Sequence, residues 1–308
     1  MTDARAKQAS GALLAARLNF GWWASNGPTA GYLVSLILES VGWLPGMHSM
    51  TPRSVDLRIV RLAAADDFDV TAAFAQGAGG VATVMVTLAQ REPFAAASVQ
   101  LGRRLAEESI APSHRLSAFP PEAYVEMKMG RPDQPPVTGQ FTYRPATNPD
   151  GTSPQPGWDL VWVSPRSGQN SGHEHTAKIL DCWYPASYMR AVREHLGRAQ
   201  PPSELSQPAA TNLLGAHVEF TSPDEAYADL SDALLASRLK SSADGYQFEQ
   251  QEIWSDRGDL LVDAQIVRRQ ERPQVARSAR EATMSACDAP LKCACPKSTR
   301  RYNPKERP

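Results

Sequence analysis

The sequence predicts an α+β protein in which one plan is built twice: a long helix, apolar almost all round, wrapped by an antiparallel sheet. Three observations lead there. "SNGPTAGYLVSLILESVGWLPG" (25–46) is a glycine- and proline-rich loop that breaks into an apolar run with no charge until Glu39. Short alternating runs joined by tight turns follow it. After a proline-rich interval the same succession of elements returns.

The helix comes first. From Tyr32 to Val41 the apolar stretch is about ten residues, interrupted by Ser35 and Glu39. Crossing a bilayer takes roughly 20, so no membrane span is expected. The "ALLAA" upstream is too short for the apolar core of a signal peptide. Leu33, Leu36, Ile37 and Ser40 recur at one helical face. Val34, Leu38 and Val41 cover much of the rest, and a helix apolar nearly all round is buried.

Strands are expected over 54–60, where Val55, Leu57 and Ile59 share a face against Asp56 and Arg58, and over 68–74, 81–90 and 94–102. "GAGG" (77–80) reads as a hairpin turn, since no phosphate-loop spacing follows it. From Pro112 to Pro156 the chain is proline-rich and weakly periodic, which fits a linker and crossing segment. A strand over 157–164, a loop with Gly168, Asn170 and Gly172, and a helix over about 174–197 come next. Four more strands are expected over 211–220, 232–242, 245–255 and 259–269.

At an offset of 165 the halves overlay: Gly80 meets Gly245, Glu92-Pro93 meet the Arg257-Gly258 turn, and Gln100 meets Gln265. A single α+β domain whose hairpins merely look alike is the other reading. The expected divisions are 1–110, a crossing segment over 111–156, 157–270, and a tail over 271–308. A helix covered by a curled sheet is one of the few stable two-layer arrangements.

Charge and cysteine separate body from tail. Of 32 Lys+Arg and 33 Asp+Glu, the tail holds 9 and 4, leaving 23 against 29 before it. An acidic body argues against nucleic-acid binding, which needs a basic face. Cys182 stands alone in the body, whereas Cys287, Cys293 and Cys295 sit in the tail. That is no disulfide framework, so a reducing cytoplasm is the expected compartment. The tail matches no zinc spacing and reads as a disordered basic extension.

The sequence resembles the thioesterase-like superfamily of two fused hotdog folds, the acyl-CoA thioesterase II type. "NGPTAGYLVSLIL" is similar to the family's helix start, "PRSVDLRIVRLA" to its first long strand, and "ILDCWYPASY" to the aspartate-bearing start of its second helix. With "DGYQFEQQEIWSDRGDLLVDAQ" the likeness spans about 15 to 270. It implies a double hotdog that hydrolyses a fatty acyl-CoA to free acid and CoA, without cofactor or metal, in subunits associating edge to edge. It also implies that an aspartate at the second helix, a hydroxyl on the next strand and a glutamine on the last strand hold the attacking water. Asp181, Thr211 and Gln265 match these roles.

Two departures accompany the match. A gapless reading puts Leu213 at the hydroxyl position. Gln265 lies seven residues after Gly258 where the family has eight, and one residue of slip turns a strand side chain to the opposite face. Ile266 would then stand at the functional position. A catalytically silent acyl-CoA or acyl-carrier binding protein is the rival reading, supported by that slip.

The chemistry itself asks for an activated water and a stabilised oxyanion. Free N–H groups at a helix start suit the oxyanion, which makes Gly31 and Tyr32 the candidate substrate-binding residues. Against these stand plainer roles: Asp181 as partner to Lys178 or an arginine, Thr211 at an edge, Gln265 on a solvated face, Gly31 in helix packing and Tyr32 in the core. His173 and His175 lack a further ligand. Ser98, Ser164 and Ser167 sit in no nucleophile elbow. Trp22, Trp23, Trp43, Trp158 and Trp183 line an acyl tunnel or fill the core. A hotdog hydratase is disfavoured because its aspartate–histidine pairing is not visible.

Overall fold

Thr29 starts the first helix, α1 (Ala30–Gly42), its side chain accepting the Tyr32 N–H at 3.2 Å while its carbonyl accepts from Leu33. Such a cap satisfies N–H groups that the helix cannot bond internally. Ten of the 13 residues of α1 are buried; Leu36, Glu39 and Gly42 are the others. The computed structural model describes residues 11–47, 49–64, 67–102, 116, 118–132, 134–166, 172–196, 211–228 and 230–270. The tail 271–308 with its three cysteines, and Gly168 and Asn170, lie outside the described residues.

Before α1 come β1 (Gly11–Arg17) and the two-residue strands β2 (Trp23–Ala24) and β3 (Gly27–Pro28). After it come β4 (Thr51–Ile59), β5 (Asp67–Ala78), β6 (Val81–Ala89) and β7 (Pro93–Gly102), then β8 (Phe141–Pro145) and β9 (Asp159–Pro165). Two helices follow, α2 (His173–Ala177) and α3 (Ala186–Leu196). Last are β10 (Thr211–Phe220), β11 (Ala233–Ala243), β12 (Tyr246–Ser255) and β13 (Leu260–Gln270).

Eleven strands form one antiparallel sheet in the order β1-β5-β6-β7-β4-β10-β13-β12-β11-β9-β8. Within it the order repeats. Counting β1, β4, β5, β6, β7 as first to fifth gives first-third-fourth-fifth-second from the edge inward. Counting β9, β10, β11, β12, β13 gives the same from the other side, with β8 added outside. Hairpin chemistry repeats too: Gly79-Gly80 join β5 to β6, and Asp244-Gly245 join β11 to β12, all four with positive φ. Two-residue turns of the type I′ kind need that backbone, and Gly and Asp tolerate it. The pairs are 165 residues apart, the offset read from the sequence. The halves meet along β4 and β10, where Val55 pairs with Val218 and Asp56 with His217.

Three expectations change. β1 and β8 were not anticipated, and the helix expected over 174–197 is two helices separated by turns. The crossing segment also has a structural role. Leu116, Ala118 and Tyr124 pack on Trp158, Trp162, Leu234 and Trp254 on the outer face of the sheet, and the Trp162 Nε1–H donates to the Phe119 carbonyl at 3.0 Å. Among the described residues, no helix is long and apolar enough to cross a membrane.

Candidate active site

The break between α2 and α3 makes the site. After α2 the chain tightens into three-residue turns, with Lys178, Ile179, Leu180 and Cys182 each donating to the carbonyl three residues back. Pro185 cannot extend a helix from behind, and it disfavours helical backbone at the residue before it. Asp181, inside the break, has a φ of 64°. Aspartate is one of few residues that visit this left-handed region.

That conformation points its groups at three separate elements. The Asp181 N–H donates to Gln251 Oε1 on β12 at 2.9 Å. Its Oδ2 accepts the Ala30 N–H at the start of α1 at 3.1 Å. Its Oδ1 accepts from the Arg268 guanidinium on β13. Arg268 in turn donates through Nε to Glu249 Oε2 on β12 at 3.2 Å. All four side chains are buried. Burial alone would lower the Arg268 pKa, but Asp181 and Glu249 outweigh it and hold the guanidinium charged. Burial pushes the Glu249 carboxyl above the usual range, and Arg268 offsets only part of that.

A space of about 30 Å³ adjoins this cluster, lined by Asp181, Arg268 and Thr211 with Val137, Trp183 and Tyr184 among its walls. That is room for a water or two. Cys182 also borders it, but burial pushes its thiol well above the ordinary range, so it stays an unreactive thiol. A larger cleft of about 330 Å³ opens at the far end of α1, between Leu38, Met47, Met50 and the pair His173–Asp224. There His173 Nε2 lies 3.6 Å from Asp224 Oδ1, and Thr51 Oγ1 donates to Asp224 Oδ2 at 2.8 Å.

The fold matches known structures. One is a protein of unknown function with a hot dog fold from Alicyclobacillus acidocaldarius, at 17% identity and a TM-score of 0.71, over 85% of this chain and 94% of that one. The chain has a hotdog fold. Its other structural neighbours include the acyl-CoA thioesterase II TesB2 from Mycobacterium marinum, at 14% identity and TM-score 0.57 over 80% and 91% of the two chains. They also include a tesB protein from Mycobacterium avium subs paratuberculosis, at 14% and 0.59 over 84% and 93%. No protein-family model matches the sequence, and no curated protein sequence matches it.

Of the residues expected to act in this hotdog protein, two come together: Asp181 and Thr211 line one space. Gln265 does not join them. It is exposed, opposite His217 and Gln250 on the outer side of the sheet, while Ile266 is buried. Period-two alternation puts neighbours on opposite faces. The glutamine at the site is Gln251, one strand earlier. Leu213 packs against the core.

Gly31 and Tyr32 border the site without lining the space. A Cβ on Gly31 would sit 2.1 Å from the Ala177 carbonyl oxygen and 2.5 Å from that of Leu180, so the glycine lets α1 meet the helix break. Tyr32 is core; its hydroxyl accepts the Asn19 N–H at 3.0 Å and its ring stacks on Trp22. Of the five tryptophans considered for an acyl tunnel, Trp183 lines the space and Trp43 is exposed. Arg268 and Glu249 were missed. Their signal was in the sequence: charged residues at inward positions of strands.

Proposed function

We propose that the chain is a pair of fused hotdog units that hydrolyses an acyl-CoA thioester to a free acid and CoA, using a water held at Asp181. The observation that carries this reading is a buried carboxylate sharing a water-sized space with a hydroxyl, Thr211. Each Asp181 oxygen accepts one protein hydrogen bond and keeps a second lone-pair direction for a water. The Thr211 hydroxyl has both a donor and an acceptor to orient that water. Water oxygen attacks the thioester carbonyl carbon, one water proton passes by way of the carboxylate to the departing sulfur, and the C–S bond breaks. No covalent enzyme intermediate is needed. The acyl-CoA thioesterase II among the structural neighbours supports the substrate class, and the buried free thiol of Cys182 suits a reducing cytoplasm.

A second reading has one specific observation in its favour. Both Asp181 oxygens are engaged, one by Arg268 and one by α1, and Gln265 is turned away, which fits a protein that binds acyl-CoA without turning it over. Thiol release from acyl-CoAs of graded chain length, followed with a thiol reagent, separates the two. Hydrolysis predicts release by the unaltered chain and a fall of about 10²–10⁴-fold in Asp181→Asn. Thr211→Val, which leaves the charged cluster intact, is expected to slow release as well. Saturable acyl-CoA binding with no thiol release by the unaltered chain establishes the binding reading instead.

A further inference from the structure

Resting on the hydrolytic reading above, we propose that Arg268 is the group that stabilises the oxyanion, a role the sequence led us to expect at the start of α1. Two N–H groups of the helix start are already taken. The Ala30 N–H is bonded to Asp181 Oδ2, and the Tyr32 N–H to Thr29 Oγ1. On the side of Gly31 where a Cβ would stand, the nearest groups are the carbonyl oxygens of Ala177 and Leu180. These are partial negative charges, which repel a second negative oxygen. The Asp181 N–H, at the edge of the space, is committed to Gln251.

Among the described residues lining the space, Arg268 is the one cation. A guanidinium carries five N–H donors in a rigid plane. Asp181 takes one from Nη2 and Glu249 takes the Nε–H, which leaves the fork's remaining donors on a group that faces the space. Two carboxylates grip it, Asp181 from the helix break and Glu249 from β12, so its orientation is fixed before substrate arrives, and a charge held ready in a low-dielectric site does the most for a developing negative oxygen. When water attacks, the carbonyl π electrons move onto oxygen beside the guanidinium. When the C–S bond breaks they return, and the proton taken from water ends on sulfur. Arg268 neither gains nor loses a proton in this sequence.

The test must separate charge stabilisation from mere support. Removing Arg268 alone would strand two carboxylates, so the informative variant is Arg268→Gln with Glu249→Gln, which leaves the net charge of the cluster unchanged. Folding is checked by thermal melting. The expected result is a loss of about 10²–10³-fold in kcat with KM changed little, and partial recovery of kcat in Arg268→Ala/Glu249→Gln on adding millimolar methylguanidinium. A folded double variant with undiminished kcat, or no recovery by methylguanidinium, overturns the role of Arg268 while leaving hydrolysis standing. No thiol release from the unaltered chain overturns both.

Discussion

Where the N-terminal half turns Val55, Val70, Val84, Val86 and Val99 toward the core, the C-terminal half turns in Asp159, Ser237, Gln247, Glu249, Gln251 and Arg268, all buried. The strand order is the same in both. The first interior is a mainly apolar packing around α1 that buries no charged side chain among the described residues, the least costly way to fill a wrapped sheet. The second buries ions, each of which costs several kcal/mol to desolvate unless paired. Its helix is correspondingly broken, and the break delivers Asp181 to the start of the other half's helix. One half follows the packing rules, and the other departs from them at the Asp181–Arg268–Glu249 cluster, the kind of place where such departures mark a functional site.

The sharpest way to break this contrast is Arg268→Met. It leaves Asp181 and Glu249 as two buried carboxylates, and about 3–5 kcal/mol of stability should be lost, read by urea titration. Adding Glu249→Leu makes the interior resemble its twin. One of the two stranded carboxylates is then gone, so part of the lost stability should return, while Asp181 without its cation holds back the rest and thiol release stays low. Leu57→Ala in the aliphatic half is expected to cost about 2–5 kcal/mol yet leave the activity of the folded fraction intact.

Gly31→Ala tests the point where the halves touch. Its methyl group would overlap two backbone carbonyls that cannot rotate away, and overpacking of this kind costs about 1–3 kcal/mol. Because α1 and the helix break would be pushed apart, turnover by the folded protein should fall too. This is the feature that tells it from Leu57→Ala.

The seam between halves has a pH dependence. His217 on β10 lies 2.6 Å from Asp56 on β4 and 3.1 Å from Glu219. Partial burial lowers its pKa, but Glu219 and Asp56 outweigh this and hold it above the ordinary histidine value. The folded state therefore binds this proton more tightly than the unfolded chain. Its contribution is complete below about pH 6.5 and is lost as pH rises through the folded value. Melting temperature plotted against pH should decline over that range, less steeply in His217→Asn.

Gln265→Ala should have the smallest effect. An exposed side chain on the outer side is worth no more than about 0.5 kcal/mol, and kcat should match the parent.

Much of this was legible beforehand. The all-round apolar pattern of Tyr32–Val41 gave α1, because a wrapped helix has no polar face to show. Period-two alternation and the Gly79-Gly80 and Asp244-Gly245 turns gave most strands and the repeat. β1 was hidden because "GALLAAR" is built of alanine and leucine, which favour helix when read alone. β8 was hidden among prolines, although Phe141, Tyr143 and Pro145 alternate inward.

The buried cluster was anticipated at Asp181 and missed at its partners for one reason. In "YQFEQQEIWS" the aromatic Tyr246 and Phe248 face out, and Gln247, Glu249 and Gln251 face in. Hydropathy assigns the faces of such a strand backwards. The position of Gln265 depended on a single residue of register, which turn spacing alone did not fix.

Asp181 holds α1, β12 and β13 at once, and these arise from opposite ends of the described chain. A nascent polypeptide that has finished only its first portion holds α1 but none of Asp181, β12 and β13, however well that portion is formed. On the proposed hydrolytic reading, turnover is a readout of complete assembly: on refolding, it should reappear no earlier than β12 and β13 have found their places.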